Sequence, residues 1–285
     1  HDNQTIADGV LDLQARGLPL VTTIHHPITR DYRVALEAEP KWYMRLLIHR
    51  WHSFLLMQKR VAPQLKSVVT VSSASATDIC TDFGVSPEAI SVMHLGVDTT
   101  LFRPAPHVRR EPHRLMTTAS ADAPLKGLSY LLKAMALLRP EYPEMKLTLV
   151  GRPKRDGETQ RLIDALGLAD CIECCKGISH EEMVEKYAFA SVAVVPSMYE
   201  GFGLPAVEAM ACGVPLVSTS GGALAEVVSD AALVVSPGDS DALAQQIRRL
   251  FDDQSLRAEY AARGLERVEQ HFCWERCAER MEAYY

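Results

Sequence analysis

The chain has 285 residues, 47% hydrophobic and 23% charged, with a net charge of −6 and a pI near 5.9. Such a chain is globular and long enough for two substantial cores, and its acidic balance argues against a general nucleic-acid binder. No apolar run reaches the roughly 18 residues that span a bilayer, and the polar start His1-Asp2-Asn3-Gln4 gives no expectation of a secretory leader.

In chain order, His1-Asp2-Asn3 reads as a strand-end loop, followed by a short helix over 6–15 and a strand over 18–24 that ends at His25-His26-Pro27. Adjacent histidines before a proline at a strand end are hard to place in a core. His25, with His26 as its rival, is therefore a candidate cleft residue, against plain loop packing. Asp31 is a candidate on proximity alone. The segment 41–60 carries five Lys/Arg and no acid. At helical spacing Lys41, Arg45, His49, His52 and Lys59 share one face, and Leu47, Trp51, Phe54 and Leu55 another. Two readings follow: a helix turning its apolar face to the core, or one lying on an anionic membrane surface.

Strands over 67–71 and 90–93, with a helix over 74–83, close a first domain spanning 1–96. The Pro- and Arg-rich stretch 97–113 reads as a linker. Strands over 114–118, 146–150, 171–174, 192–195, 215–218 and 232–235 then alternate with helices over 128–139, 158–166, 180–189, 205–211 and 224–228. This alternation predicts a parallel sheet with crossover helices, a second α/β domain over 114–270. Helices over 241–251, 255–270 and 274–285 follow, the last forming a C-terminal segment over 271–285.

The run Glu200-Gly-Phe-Gly-Leu-Pro-Ala-Val-Glu208 carries the most chemistry. It follows the all-apolar Val192-Ala193-Val194-Val195, the mark of a strand buried on both faces. Pro205 suits the first helical position, and Gly201 and Gly203 allow close backbone approach to a ligand. Exposed N–H groups at this helix start favour anionic or hydroxyl oxygens. Glu200 on the loop and Glu208 one turn into the helix would flank such a ligand. By itself, the run is equally a strand–loop–helix joint with solvated acids. Lys126, after the loop 119–125 and at a helix start, could hold a phosphate group without a metal.

Two patterns are weighed and set aside. Cys171-x-x-Cys174-Cys175 with His180 nearby lacks a second matched pair, so free thiols are preferred to zinc; all seven cysteines are odd in number and scattered, as in a reducing compartment. Asp239-Ser240-Asp241 follows Pro237-Gly238 and precedes an amphipathic helix, so a helix cap explains it.

Glu200-x7-Glu208 resembles the paired-glutamate motif of retaining GT-B glycosyltransferases, family 4 in particular. His94-Leu-Gly-Val-Asp98 with Phe102-x-Pro104 is similar to the family's interdomain segment. Pro124-Leu-Lys-Gly127 is similar to its donor-phosphate lysine loop, and Ser220-Gly-Gly222 with Glu226 to its following turn. Four motifs in order cover the chain from about residue 20 onward. The resemblance implies two Rossmann-like parallel-sheet domains and retaining transfer of a sugar from a nucleotide-sugar donor to an acceptor hydroxyl. It implies no metal or other cofactor and a cytoplasmic enzyme, at the inner membrane face if 41–60 binds there. The acceptor stays unassigned, lipid-linked or a polysaccharide. By resemblance, His25, Lys126 and Glu200 serve catalysis. Donor contacts are Ser120, Lys126, Arg152, Ile178 beside Gly177 (the base), Glu200, the backbone of Gly201, Phe202, Gly203 and Leu204, and Glu208 (the ribose). The family commonly has Arg where this chain has Ser120, so Arg152 is the compensating cation or donor binding is weaker. The family's first domain normally opens with several strands and a glycine-rich loop, and nothing in this sequence matches them. The resemblance therefore implies a fragment that is aggregation-prone or inactive alone, with the last helix expected to cross to the first domain. Alternatives are a non-catalytic nucleotide-binding remnant or another GT-B enzyme such as a sugar epimerase.

Overall fold

The computed structural model describes residues 1–119 and 122–285 and divides the chain into two units, His1–His94 and Leu95–Tyr285. The first unit runs β1 (Asp2–Asn3), α1 (Asp8–Ala15), β2 (Thr22–Thr23), α2 (Thr29–Ala38), α3 (Trp42–Trp51), α4 (Phe54–Val61), β3 (Val68–Thr70), α5 (Ser73–Phe83) and β4 (Ile90–Val92). Its four strands pair in parallel in the order β1-β2-β3-β4. Ile24, Val61, Val68, Ile79 and Phe83 form its core.

This unit departs from the sequence reading in several places. Residues 2–3 are an edge strand and not a loop, and the strand expected over 18–24 shrinks to Thr22–Thr23, with Leu18 half exposed. Helix α2 was not anticipated, and its low overall hydrophobicity hides an amphipathic pattern. The helix is docked by side chains: Arg33 pairs with Asp82 of α5 at 2.6 Å, and the Thr29 hydroxyl donates to the same carboxylate.

The single helix expected over 41–60 is two. His52 ends α3, its backbone N–H donating to the Ile48 carbonyl at 3.0 Å and its ring Nδ1 lying 2.8 Å from the same oxygen. Helix α4 turns Leu55 and Val61 inward, whereas α3 buries no residue. Trp42 and Trp51 are 72% and 78% exposed, and Tyr43, Leu46 and Leu47 also face outward. The apolar face expected as one stripe is thus split by the break: Leu55 reaches the core, while Leu47 and Trp51 do not. Among the described residues, no helix is long and apolar enough to cross a membrane.

The second unit continues with β5 (Arg114–Thr118), α6 (Leu128–Leu138), β6 (Lys146–Val150), α7 (Glu158–Ala165), β7 (Ile172–Cys175), α8 (His180–Phe189), β8 (Val192–Val195), α9 (Leu204–Ala211), β9 (Leu216–Thr219), α10 (Leu224–Val228), β10 (Leu233–Val235), α11 (Ser240–Asp252), α12 (Gln254–His271) and α13 (Trp274–Tyr284). Every expected element is present here, because long apolar runs and strong caps agree. Ser179 and Glu182 form a capping box on α8, and Asp239 accepts from Ala242 N at 2.8 Å as the N-cap of α11, which accounts for Asp239-Ser240-Asp241. Asp98 likewise serves a local turn, its Oδ1 accepting from Thr100 N at 2.9 Å and Thr100 Oγ1 at 2.6 Å.

The six strands are parallel in the order β10-β9-β8-β5-β6-β7. The chain builds outward from β5 through β6 and β7, then returns to β8 on the other side of β5. This reversal places the loops after β5 and β8 side by side at the strands' carboxyl ends, where open parallel sheets bind ligands. The core beneath combines α6, α11 and the strands through Leu131, Met135, Leu147, Val194, Leu243 and Ile247.

Candidate functional site

Lys126 and Glu200, 74 residues apart in sequence, meet at this reversal. Lys126 Nζ donates to both carboxylate oxygens of Glu200, at 2.8 and 3.0 Å, and Ser197 Oγ donates to Oε1 at 2.8 Å. The two loops are also tied through their backbones, with Met198 N donating to the Leu125 carbonyl at 2.8 Å. Gly127 makes that closeness feasible: its φ is +64°, and a Cβ there would lie 1.9 Å from the Pro196 carbonyl oxygen. The Glu200 backbone is held in turn by the Ser220-Gly221-Gly222 turn, as a parallel bridge to Gly222 and through Ala223 N donating to the Glu200 carbonyl at 2.9 Å. The Glu200 side chain is only 11% exposed, against 33% for Lys126.

Beside this pair lies a cleft of about 750 Å³ lined by Thr118, Lys126, Arg152, Lys154, Lys176 and Pro205, among others. Four cations line the cleft against one carboxylate among its described lining residues, Asp122, which accepts from Lys154 N at 2.7 Å; the net positive charge suits an anionic phosphate group. Lys154 and Lys176 were not singled out in the sequence. Their signal was only a basic residue just after each of two neighbouring strands, β6 and β7.

The structure places the other sequence candidates as follows. Arg152 lines the cleft, while Ser120 lies outside the described residues. At the expected base seat, Cys175, Lys176 and Gly177 line the cleft, and half-buried Ile178 follows them. Leu204 opens α9 with Gly203 as its cap, so Pro205 is the second helical residue and not the first. The need for glycine at 203 is structural: φ is +103°, and a Cβ would meet Leu224 Cδ2 at 2.6 Å. The Phe202 side chain is buried edge-on against Phe272, which leaves its backbone and that of Gly201 as the groups near the site. In the first turn of α9 Pro205 carries no N–H, and the N–H groups of Ala206 and Val207 donate to the Gly203 carbonyl at 2.9 and 3.4 Å, which leaves the Leu204 N–H as the first-turn donor free of a helical acceptor among the described residues.

His25, in the first unit, lies in a bend two residues beyond β2 and not at the strand's end as expected. Its Nε2 lies 3.0 Å from Asn3 Oδ1 and its N–H donates to Gln4 Oε1 at 3.1 Å. Partial burial, then the neighbouring His26, lowers the His25 pKa and keeps the ring neutral at pH 7. His26 pairs instead with Asp31 at 3.4 Å. Cys174 and Cys175 are adjacent on β7 and so point to opposite faces, and Cys171 is buried. Among the described residues, no group of three or more His, Cys, Asp or Glu is arranged to hold a metal ion.

Glu208 lies half-buried on α9, where Tyr187 Oη of α8 donates to its Oε2 at 3.2 Å. Burial raises the carboxyl pKa, and the Tyr187 hydrogen bond and His180 offset this only in part. Because the folded value lies above the unfolded one, the folded state binds this proton more tightly. The stability this confers is full below the unfolded pKa of about 4.3 and is lost as pH rises through the folded value. Glu208→Gln, which keeps the hydrogen bond without the charge, is expected to melt higher than wild type at pH 7.5 and to show a smaller or no advantage at pH 4. Melting curves at the two pH values read this, and equal shifts at both would exclude a buried ionised carboxylate.

The pattern of the family described as Glycosyl transferases group 1 matches residues 102–267, and that of Glycosyltransferase Family 4 matches residues 1–101. Over its whole length the chain is 46% identical to an MMP alpha-(1->4)-mannosyltransferase of Mycolicibacterium hassiacum, of which it spans 69%. A solved sucrose-phosphate synthase from Thermosynechococcus elongatus superposes with a TM-score of 0.77 at 28% identity, covering 97% of this chain and 70% of that one. Anabaena Alr3699/HepE, solved in complex with UDP, gives a TM-score of 0.79 at 21% identity, covering 100% of this chain and 78% of that one, a likeness of fold.

Proposed function

The chain belongs to the GT-B glycosyltransferases of group 1 and family 4, and on that premise we propose a retaining transfer of a sugar from a nucleoside-diphosphate sugar to an acceptor hydroxyl. The mannosyltransferase relative supports mannose as the sugar, and the UDP complex of a structural neighbour supports a nucleoside-diphosphate leaving group. The observation that carries the proposal is the Lys126–Glu200 pair at the rim of a four-cation cleft on the sheet's reversal point.

In this reading the diphosphate sits among Lys126, Arg152, Lys154 and Lys176, with the start of α9 beside it. As the bond between the anomeric carbon and the phosphate oxygen breaks, its electron pair moves onto that oxygen, while the acceptor hydroxyl oxygen bonds the same face of the anomeric carbon and gives its proton to the departing phosphate. The cations and backbone dipoles stabilise the charge there, where it counts most for the rate. Lys126 then exchanges Glu200 for phosphate, which frees the Glu200 carboxylate to accept from the sugar's hydroxyls. Glu208 accepts from the ribose, the backbone near Gly177 seats the base, and His25 positions the reacting sugar. The positive charge comes from side chains, so the reading includes no metal or other cofactor. Calorimetry with UDP, GDP and ADP, with and without chelator, followed by NMR of the product's anomeric configuration, tests it. Absence of binding to all three diphosphates, or an inverted product, would overturn it.

The exposed face of α3 favours a reading of the acceptor side. Trp42, Tyr43, Leu46, Leu47 and Trp51 project outward between Lys41, Arg45 and Arg50. Aromatic and basic residues together suit an anionic bilayer surface at the inner face of the membrane, where a lipid-linked acceptor would be met. Co-sedimentation with vesicles containing one-third anionic lipid is expected to fall at least five-fold in a Lys41→Glu/Arg45→Glu variant or a Trp42→Ser/Trp51→Ser variant. Equal recovery of wild type with purely zwitterionic vesicles would remove the anionic surface from this reading, and none with either would point to a polysaccharide acceptor met in solution.

A further inference from the structure

We propose that Tyr187 is the positioning residue for nucleotide ribose recognition, holding one oxygen of Glu208 so that the other alone meets the ribose hydroxyls; this rests on the ribose reading of Glu208 above. Tyr187 is 2% exposed, and three oxygens lie near its hydroxyl: Glu208 Oε2 at 3.2 Å, the Pro205 carbonyl at 3.3 Å and Thr118 Oγ1 at 3.5 Å. A phenol has a single proton, and an ionised carboxylate is the strongest of these acceptors. The proton therefore goes to Glu208, and Thr118, at the cleft wall, is left to donate to the phenol oxygen.

The second oxygen of Glu208 is the informative one. Among the described residues Oε1 accepts no hydrogen bond, so the half-buried carboxylate has one oxygen satisfied and one left for a ligand hydroxyl. A glutamate has three side-chain torsions to order when it binds a ligand, and fixing them beforehand removes that cost from binding. Arg110 stiffens the arrangement further by donating to the Tyr187 carbonyl at 3.1 Å and to the Gly213 carbonyl just after α9 at 2.8 Å, which fixes the spacing of the two helices.

The test compares GDP, UDP and ADP with their 2′-deoxy and 3′-deoxy counterparts on wild type, Tyr187→Phe and Glu208→Gln. Wild type is expected to prefer the ribonucleotide. Tyr187→Phe is expected to weaken ribonucleotide binding about ten-fold, as for the loss of one hydrogen bond to a charged group, and to leave deoxynucleotide binding unchanged. In turnover the same variant should raise KM with kcat within two-fold. Full ribose discrimination retained in Tyr187→Phe would overturn the proposal while leaving the Glu208 reading intact. Equal weakening of ribo and deoxy ligands would also overturn it, as a general structural effect. Absence of discrimination in wild type would instead remove the ribose reading itself. Should Tyr187→Phe fail to fold, 3-fluorotyrosine at position 187 keeps the shape and strengthens the donor. Ribose discrimination should then sharpen, and unchanged discrimination would overturn the proposal.

Discussion

Lys126→Ala is expected to lower turnover by about two to three orders of magnitude, the cost of removing one fixed charge-stabilising group from a developing oxyanion. Lys126 is the cation closest to Glu200 and joins the two loops at the sheet's reversal, so no neighbour substitutes for it in place. Arg152, Lys154 and Lys176 remain in the cleft, so nucleoside-diphosphate affinity should fall far less than turnover, by about ten-fold. Lys126→Arg should recover part of the rate, because the charge is kept while its reach changes. Stability should also fall, by about 1–3 kcal/mol, because Glu200 is only 11% exposed and would keep the Ser197 hydroxyl alone. Steady-state kinetics with calorimetry reads both quantities. Turnover within three-fold of wild type would remove Lys126 from the chemistry.

The second large effect concerns folding. Arg110 is half-buried and donates to four carbonyls: Tyr187 at 3.1 Å, Ala190 at 2.7 Å, Cys212 at 3.3 Å and Gly213 at 2.8 Å. These lie at the carboxyl ends of α8 and α9, where unsatisfied carbonyls and the helix dipoles both favour a cation. Burial lowers the guanidinium pKa, yet it stays charged at any accessible pH. Arg110→Ala should therefore destabilise the second unit by about 3 kcal/mol, from two helix ends losing their cation and several hydrogen bonds to a charged group. Arg110→Lys should recover less than half, because one ammonium cannot span four acceptors on two helices. Urea unfolding followed by circular dichroism measures the difference. A loss under 1 kcal/mol for the alanine variant would show that the helix ends are satisfied without it. Since α8 carries Tyr187 and α9 carries Glu208, nucleotide affinity should fall together with stability in this variant.

Local sequence was a reliable guide wherever several local signals agreed. Val192–Val195, flanked by a helix signal on each side, could only be a buried strand, and Ser179 with Glu182 marked the start of α8. It failed where tertiary contacts hold an element that local preference does not. Helix α2 stands on Arg33 and Thr29 reaching Asp82. The exposure of Trp42 and Trp51 was likewise unreadable, because helical spacing sorts residues by face without saying which face is covered.

The sequence by itself determined the class of fold and family membership, because motif order, strand–helix alternation and the two glutamates are properties of the chain. It also singled out Lys126, Glu200 and Glu208 one at a time. Only the tertiary structure decided that Lys126 and Glu200 are ion-paired, that Lys154 and Lys176 join Arg152 around one cleft, and that Tyr187 grips Glu208. The physical reason is the reversal of strand order at β5. It brings residues 21 to 74 positions apart within hydrogen-bond reach, and no local pattern records which loops it will set side by side.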